Sequence, residues 1–290
     1  MSGVLRVPDG LTWLHGMPGG SEWLAGLPDR LATCARRWSL RLGSPFGYAC
    51  ASLAVPAELP DGTRAVLKVQ FPDAESAHEA TALRSWDGAG AVRLLAHDPG
   101  LRALLVERCD PGTPLHAVPL DEALDAVVAL LPRLWVPAGQ PFLSLAEAAA
   151  GWASRLPAKW ERAGRPFERR LVEVALDQLN GLAGSQGEQV LVNQDLHAAN
   201  VLRAEREPWL VIDPKPLVGE REFSVVAMVR GTELGHSRAA VRRRLDRLSA
   251  ELGLDRDRVV GWTIGQTMAW SIDGDRVFTD HAEVVRWLLD

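Results

Sequence analysis

Residues 193–213 read NQDLHAANVLRAEREPWLVID. Two short apolar runs, residues 201–202 and 210–212, flank a polar stretch, and this pattern indicates a β-hairpin with a loose turn. Three side chains that carry oxygen atoms accompany the hairpin: Asp195, Asn200 and Asp213. Asp and Asn also cap turns in many chains, so the hairpin alone is only a candidate functional site.

A symmetric hairpin would place position 200 opposite position 213. Opposed side chains have Cβ atoms about 4.5–5.5 Å apart, so Asn200 and Asp213 could share one hard cation. Mg²⁺ binds such oxygens at about 2.0–2.1 Å. Asp195 would enter the same space from the preceding loop. One carboxylate beside a metal-binding pair is the equipment of a phosphoryl-transfer enzyme.

A second constellation surrounds Lys68, which lies in the apolar run Ala-Val-Leu-Lys-Val. A lysine in such a strand either faces solvent or needs a partner, because an unpaired buried ammonium is costly. The following helix, expected over about 74–86, offers Glu75 and Glu79, and Glu79 shares a face with the apolar residues of that helix. We therefore predict a Lys68–Glu79 ion pair, with Glu75 as the second candidate. Such a pair can hold the ammonium against nucleotide phosphates.

Further nucleotide contacts are expected in the same region. Gly43 and Gly47 flank a turn where backbone N–H groups could approach phosphates, although no Walker A pattern is present. Glu107 and Cys109 end an apolar strand, where freed backbone groups could read an adenine edge. Val66 lies on the same strand face as Lys68 and could pack on the ring.

The pattern of elements predicts an α+β fold with two lobes, because 290 residues exceed the usual size of one domain. We predict a nucleotide-binding lobe over 1–108, which includes a helix over 21–38 broken near Pro28. A catalytic and substrate-binding lobe covers 109–290. Strands are expected at 40–42, 48–55, 64–71, 92–96 and 102–108. Helices are expected near 120–134, 145–163, 167–183, 221–235, 237–251, 256–271 and 280–289.

Composition narrows the class of protein. Three widely spaced cysteines without a C-x-x-C motif argue against a disulfide framework or a zinc site and favour a reducing compartment. No leader and no apolar run of about 18 residues is evident, so we expect a cytoplasmic protein that does not bind a membrane. A net charge of −5 argues against a nucleic-acid-binding surface and suits a cationic small substrate. The arginines at 242–244 are interpreted as a solvated helix face.

The order Lys68, Glu79, Asp195, Asn200, Asp213 resembles the protein-kinase-like fold, with a small antiparallel-sheet N-lobe and a mainly helical C-lobe. The loop at 193–200 is similar to the His-Gly-Asp-Leu-His-x-x-Asn loop of the aminoglycoside phosphotransferase family. The Asp-Pro-Lys at 213–215 and the Trp-Leu-x-x-Leu-Pro at 23–28 resemble the streptomycin 6-phosphotransferase and hydroxyurea phosphotransferase group.

The resemblance implies ATP and Mg²⁺ as cofactors. Asp195 would act as general base, Asn200 and Asp213 would hold magnesium, and Lys68, held by Glu79, would grip the phosphates. Residues 107–109 would form the adenine hinge. The chain departs from the family at three positions that support the loop: Asn193 and Gln194 replace the usual His and Gly, and Ser224 stands where many relatives carry Asp.

The implied activity is phosphorylation of a hydroxyl group on a small molecule, expected to be streptomycin or a related aminoglycoside. Glu233, Asp273 and Asp275 are candidate anionic contacts to such a cationic antibiotic. Two alternatives stay open: a metabolite kinase of the same fold, and a kinase-like binding protein with little turnover. A protein kinase is disfavoured because no Ala-Pro-Glu segment follows Asp213.

Overall fold

The computed structural model describes residues 7–47 and 51–290. The chain divides into two compact units, of which the first ends at Gly112 and the second begins at Thr113. The strand predicted from residue 48 begins outside the described residues. Among the described residues, no helix combines the length and the apolar character that a bilayer crossing requires.

The first unit begins with a 3₁₀ turn, Asp9–Gly16, and two helices, α1 (Gly20–Ala25) and α2 (Leu27–Arg37). The predicted break near Pro28 is confirmed. Pro28 lies in the first turn of α2, where a missing backbone N–H removes no helical hydrogen bond.

The rest of the first unit contains a five-stranded antiparallel sheet and one helix. In chain order these elements are β1 (Arg41–Leu42), β2 (Ser52–Glu58), β3 (Arg64–Gln70), α3 (Glu79–Trp86), β4 (Leu94–Asp98) and β5 (Ala103–Glu107). The strand order in the sheet is β1-β2-β3-β5-β4. Lys68 on β3 lies between Ala54 of β2 and Leu104 of β5. Strand β3 is therefore central, and Lys68 is buried, which removes the alternative of a lysine that faces solvent.

Helix α3 starts at Glu79, so the predicted start near residue 74 was wrong. The Asp73 carboxylate accepts the backbone N–H of Ser76 at 2.8 Å. Such local side-chain bonds compete with helix formation, and they delay the helix to the residue that pairs with Lys68.

The second unit is mainly helical. Its helices are α4 (Leu120–Leu134), α5 (Leu145–Arg162), α6 (Arg169–Ala183), α7 (Val226–Arg230), α8 (Arg238–Leu252), α9 (Arg256–Ala269) and α10 (Thr279–Leu289). Its strands form three antiparallel pairs: β6 (Val190–Asn193) with β9 (Pro216–Gly219), β7 (Val201–Arg203) with β8 (Trp209–Val211), and β10 (Ile272–Asp273) with β11 (Arg276–Val277).

Helix α9 packs closely on α6 through two glycines. A Cβ atom added at Gly261 would lie 2.8 Å from Leu182 Cδ1, and one at Gly265 would lie 2.7 Å from Leu179 Cδ2. Trp262, between the glycines, is fully buried. This approach places Gln266, the next residue of α9, against the loop that carries Asp195.

The helix predicted over 221–235 was wrong in extent, because a 3₁₀ turn at Arg221–Val225 leads into α7, which ends at Arg230. Arg244 of α8 explains this end. Its guanidinium donates to the carbonyls of Val229, Gly231, Leu234 and Gly235 at 2.8–3.2 Å. Arg244 is fully buried, so the interpretation of residues 242–244 as a solvated face was wrong for this residue.

We expect Arg244→Met to lower the free energy of unfolding by about 3 kcal/mol or more, because several buried carbonyls would lose their donor at about 1–3 kcal/mol each. Urea denaturation checks this value. The matched control is Arg243→Met, which removes only an exposed ion pair with Asp121 and should cost about 0–1 kcal/mol. Equal losses in the two variants would contradict the assignment.

Candidate active site

The predicted Lys68–Glu79 ion pair is present in the first unit. Lys68 Nζ lies 2.6 Å from Glu79 Oε2, and the two side chains are 10% and 2% exposed. Gln70 Nε2 donates to the same oxygen at 2.6 Å. The ammonium thus neutralises the buried carboxylate, and the Gln70 amide adds a second hydrogen bond that fixes the carboxylate in place.

The other residues predicted to contact the nucleotide occupy three places in the first unit. Val66 is partly buried on β3, on the same face as Lys68. Glu107 ends β5, and its carboxylate accepts the backbone N–H of Arg93 at 3.0 Å. Cys109 follows as a buried residue, while Gly47 is exposed. Their proposed roles in nucleotide binding stay predictions.

The loop that carries Asp195 is braced by Asn193. Asn193 Oδ1 accepts the backbone N–H of Asp195 at 3.1 Å and that of Lys215 at 3.0 Å. The next residue, Gln194, donates its N–H to the Lys215 carbonyl at 3.0 Å and accepts from Gln266 Nε2 at 3.2 Å. Asn193 and Gln194, which depart from the family pattern, therefore leave the loop supported.

The third departure, Ser224, is also satisfied. Its side-chain oxygen is buried and accepts the indole N–H of Trp135 at 2.9 Å. The serine is therefore held in place within the second unit.

The predicted β-hairpin is present, but its register differs by one residue from the expectation. Val201 pairs with Val211, and Ile212 donates its N–H to the Asn200 carbonyl at 2.9 Å. Position 200 therefore lies opposite 212, and the expectation of 213 was wrong. Asp213 has a φ of 51°, so it leaves the extended conformation and strand alternation does not govern its side chain.

Asn200 and Asp213 carry the kind of oxygen atoms that Mg²⁺ prefers, and their role as its ligands stays a prediction. Asn200 Nδ2 donates to the Asp195 carbonyl at 3.2 Å, which uses the amide nitrogen, so the amide oxygen is the atom that could bind a metal. The described residues contain no group of three or more His, Cys, Asp or Glu side chains suited to a metal. A donor set of one amide and one carboxylate fits Mg²⁺, which keeps waters and substrate phosphates as its other ligands.

His197 and Glu233 form a second pair beside Asp195, with 3.1 Å between Nδ1 and Oε1. Burial disfavours a charged His197, but the bond to Glu233 and the charges of Asp195 and Glu233 outweigh burial and raise the pKa of His197. Burial likewise disfavours the charged form of Glu233, and the bond to His197 outweighs it and lowers the pKa of Glu233. Glu233, a predicted substrate contact, therefore already has a partner.

The remaining predicted substrate contacts, Asp273 and Asp275, lie on the β10–β11 hairpin, where both are exposed. Asp273 is opposite Arg276 in the strand register. Their contact with a substrate stays a prediction.

Lys215 is a site residue that the sequence analysis did not assign. Its Nζ atom lies 3.2 Å from Asp195 Oδ2, and it also lies 5.4 Å from the ring centroid of Trp270. The sequence offered one signal for this residue, a lysine two positions after Asp213. The pairing of β6 with β9, next to which Lys215 lies, is visible only in the folded chain.

His281, on α10, is predicted to make the fold acid-sensitive. Burial, aided by the charge of Arg230, lowers the pKa of His281 to about 4. Its unfolded value is about 6.5, so the unfolded chain binds the proton first as the pH falls. The contribution of His281 to the free energy of unfolding should be fully present above pH ~6.5. A loss on the order of 2–3 kcal/mol should develop as the pH falls to ~4.

Urea titrations between those pH values check this expectation. His281→Gln should reduce the slope of stability against pH, whereas Gln189→Ala, at an exposed residue without a titratable side chain, should leave it unchanged. A slope that His281→Gln does not alter would assign the acid sensitivity to other groups.

The five-stranded antiparallel sheet with its buried Lys–Glu pair, followed by a helical unit with a braced Asp-x-x-x-x-Asn loop, defines a protein-kinase-like fold. Solved structures agree. The choline kinase LicA from Streptococcus pneumoniae superimposes with a TM-score of 0.66 at 13% identity, over 89% of this chain and 98% of that chain. A thermostable mutant of aminoglycoside phosphotransferase APH(4)-Ia gives 0.59 at 17% identity, over 89% and 96%. At these identities the likeness concerns the fold alone.

Sequence relatives define the family. Residues 37–275 match the model of the aminoglycoside/hydroxyurea antibiotic resistance kinases, and this chain belongs to that family. It is 40% identical to a hydroxyurea phosphotransferase from Kitasatospora aureofaciens, over 95% of this chain and 79% of that protein. It is also 40% identical to a streptomycin 6-kinase from Streptomyces griseus, over 94% and 92%. The expected assignment to the phosphotransferases is confirmed.

Proposed function

We propose that this protein transfers the γ-phosphoryl group of ATP, in the presence of Mg²⁺, to a hydroxyl group of streptomycin or a related aminoglycoside. The observation that carries the proposal is the braced loop, in which Asn200 Nδ2 donates to the backbone carbonyl of Asp195 at 3.2 Å and the Asp195 carboxylate stays partly exposed. The identity to streptomycin 6-kinase over nearly the whole chain supports this acceptor.

Each proposed role follows from the local environment. Asp195 accepts the proton of the acceptor hydroxyl, since it is a carboxylate with 18% of its side chain exposed. Lys68, held by Glu79, binds the phosphates. Asn200 and Asp213 hold Mg²⁺, which neutralises phosphate charge when bound. The chemistry depends mainly on positioning and charge neutralisation.

Hydroxyurea is the second candidate acceptor. It also carries a hydroxyl group, and the relative from Kitasatospora aureofaciens is as similar to this chain as the streptomycin 6-kinase is. Hydroxyurea is uncharged, so it has no need of the acidic contacts proposed at Glu233, Asp273 and Asp275. A cationic aminoglycoside would therefore use these acidic residues, whereas hydroxyurea would not.

Mass spectrometry of the reaction products tests both acceptors. The protein is incubated with Mg-ATP and either streptomycin or hydroxyurea, with Asp195→Ala as the inactive control. We expect streptomycin to gain the mass of one phosphoryl group. A gain by hydroxyurea alone would show that hydroxyurea, and not streptomycin, is the acceptor. No gain by either, together with nucleotide binding, would favour the alternative of a binding protein.

A further inference from the structure

Lysine is rare in this chain. Only three of the 32 basic residues are lysines, namely Lys68, Lys159 and Lys215, and the other 29 are arginines. Lys68 pairs with the buried Glu79, and Lys215 pairs with Asp195 at 3.2 Å. Lysine differs from arginine in presenting a compact charge on a flexible stem, which can change partners during a reaction.

Lys215 and Asp195 are attached to the same support. Asn193 Oδ1 accepts the backbone N–H groups of both residues, and the Lys215 carbonyl accepts the N–H of Gln194. Their backbones are therefore fixed relative to each other. The side chains are 29% and 18% exposed, so a ligand can reach the ammonium and the carboxylate together.

A second cation, Arg230, lies near Lys215 because both pack against the ring of Trp270. The ring lies 5.4 Å from Lys215 Nζ and 4.5 Å from the Arg230 guanidinium carbon. Arg230 is buried and also donates to the Gln266 side chain. Two cations against one ring raise the positive potential around Asp195, which favours groups that carry developing negative charge.

We propose that Lys215 is a further catalytic residue, whose ammonium contacts the phosphoryl group on its acceptor side during transfer. This inference rests on the proposed function. A general base lies about 2.6–3.2 Å from the hydroxyl oxygen that it deprotonates. Lys215 Nζ is 3.2 Å from Asp195 Oδ2, so a hydroxyl oxygen that approaches the same Oδ2 atom lies no more than about 6.4 Å from the ammonium. Rotation of its four-carbon stem closes the remaining distance.

The reaction itself drives the change of partner. The hydroxyl oxygen forms a bond to the γ-phosphorus, the bond from that phosphorus to the bridging oxygen breaks, and ADP leaves with the electron pair. The hydroxyl proton passes to Asp195, which thereby loses the negative charge that holds Lys215. The phosphoryl oxygens then become the strongest acceptors for the ammonium, which stays protonated throughout.

Steady-state kinetics of Lys215→Met test the proposal, with the acceptor that the wild-type protein phosphorylates. We expect kcat to fall about 10²–10³-fold, the usual loss for one donor to a developing charge, with little change in KM. Arg170→Met is the matched control, because Arg170 is an exposed cation on α6 and its loss should leave kcat unchanged.

A double-mutant cycle separates a catalytic role from a merely positioning one. Adding Lys215→Met to Asp195→Asn should lower the residual rate by a further tenfold or so, because the ammonium acts on the phosphoryl group itself. No further loss in that background would show that Lys215 acts only through Asp195 and would overturn the proposal.

The remaining outcomes are also decisive. A kcat for Lys215→Met within about threefold of wild type would overturn the proposal as well. Lys215→Gln, which keeps a donor but no charge, provides the same test if the methionine variant melts at a lower temperature than the wild type.

A wild-type protein that phosphorylates neither streptomycin nor hydroxyurea would instead refute the proposed function. The cycle would then be measured on ATP hydrolysis, where water is the acceptor and the same two results support or overturn the role of Lys215.

Discussion

Asp195→Asn is expected to lower kcat for acceptor phosphorylation by about 10²–10⁴-fold, the range that a positioned general base contributes. The substitution keeps the shape of the side chain and an oxygen that can still accept from Lys215. The bonds that brace the loop involve the backbone of residue 195, so they also survive. The loss should therefore appear in kcat and leave the KM values for ATP and the acceptor nearly unchanged.

The measurement is a coupled assay of ADP release together with a thermal melt. Asp177→Asn, at an exposed position on α6, is the matched control and should retain wild-type kcat. An Asp195→Asn variant that melts like the wild type and turns over at a similar rate would remove Asp195 from the chemistry.

Glu79→Ala is expected to have the largest effect on stability. It leaves the Lys68 ammonium buried without its carboxylate, and breaking one partner of a buried pair costs about 3–5 kcal/mol. Gln70 Nε2 loses its acceptor in the same step, which adds to the loss. Urea denaturation in the absence of nucleotide measures the change.

The double variant Lys68→Met with Glu79→Leu is the control for this prediction. It replaces both charges with apolar groups, and such replacement of a buried pair is often neutral or stabilising. We therefore expect stability to return towards wild type while ATP binding is lost. A single Glu79→Ala variant as stable as the wild type would contradict this prediction.

Local pattern was sufficient to predict the Lys68–Glu79 pair. Strand alternation placed Lys68 on a defined face, helical spacing placed Glu79 on the packing side of α3, and the cost of an unpaired ammonium selected the pairing. The lengths of α4, α5, α9 and α10 were likewise predicted closely, because long amphipathic segments with polar ends are set by nearby residues.

Residue contacts between distant segments were not predictable in the same way. The hairpin at 201–211 was expected, yet its register differed by one residue, because register depends on the turn and on pairing across the loop. Arg244 was interpreted as a surface residue, since its neighbours at 242 and 243 suggested a charged face. Only the end of α7, folded against α8, supplies the carbonyls that make its burial favourable.

By itself the sequence determined the class of fold, because this follows from the order of strands and helices along the chain. It also determined the buried ion pair and the polar residues of the Asp-x-x-x-x-Asn loop, because each depends on spacing within a short stretch. The tertiary structure decided that Lys215 reaches Asp195 and that Glu233 pairs with His197. These contacts arise where β6 pairs with β9 and where the chain beyond α7 returns to the loop. The spacing of residues within a short stretch does not encode such contacts, because they depend on how segments far apart in the chain pack together.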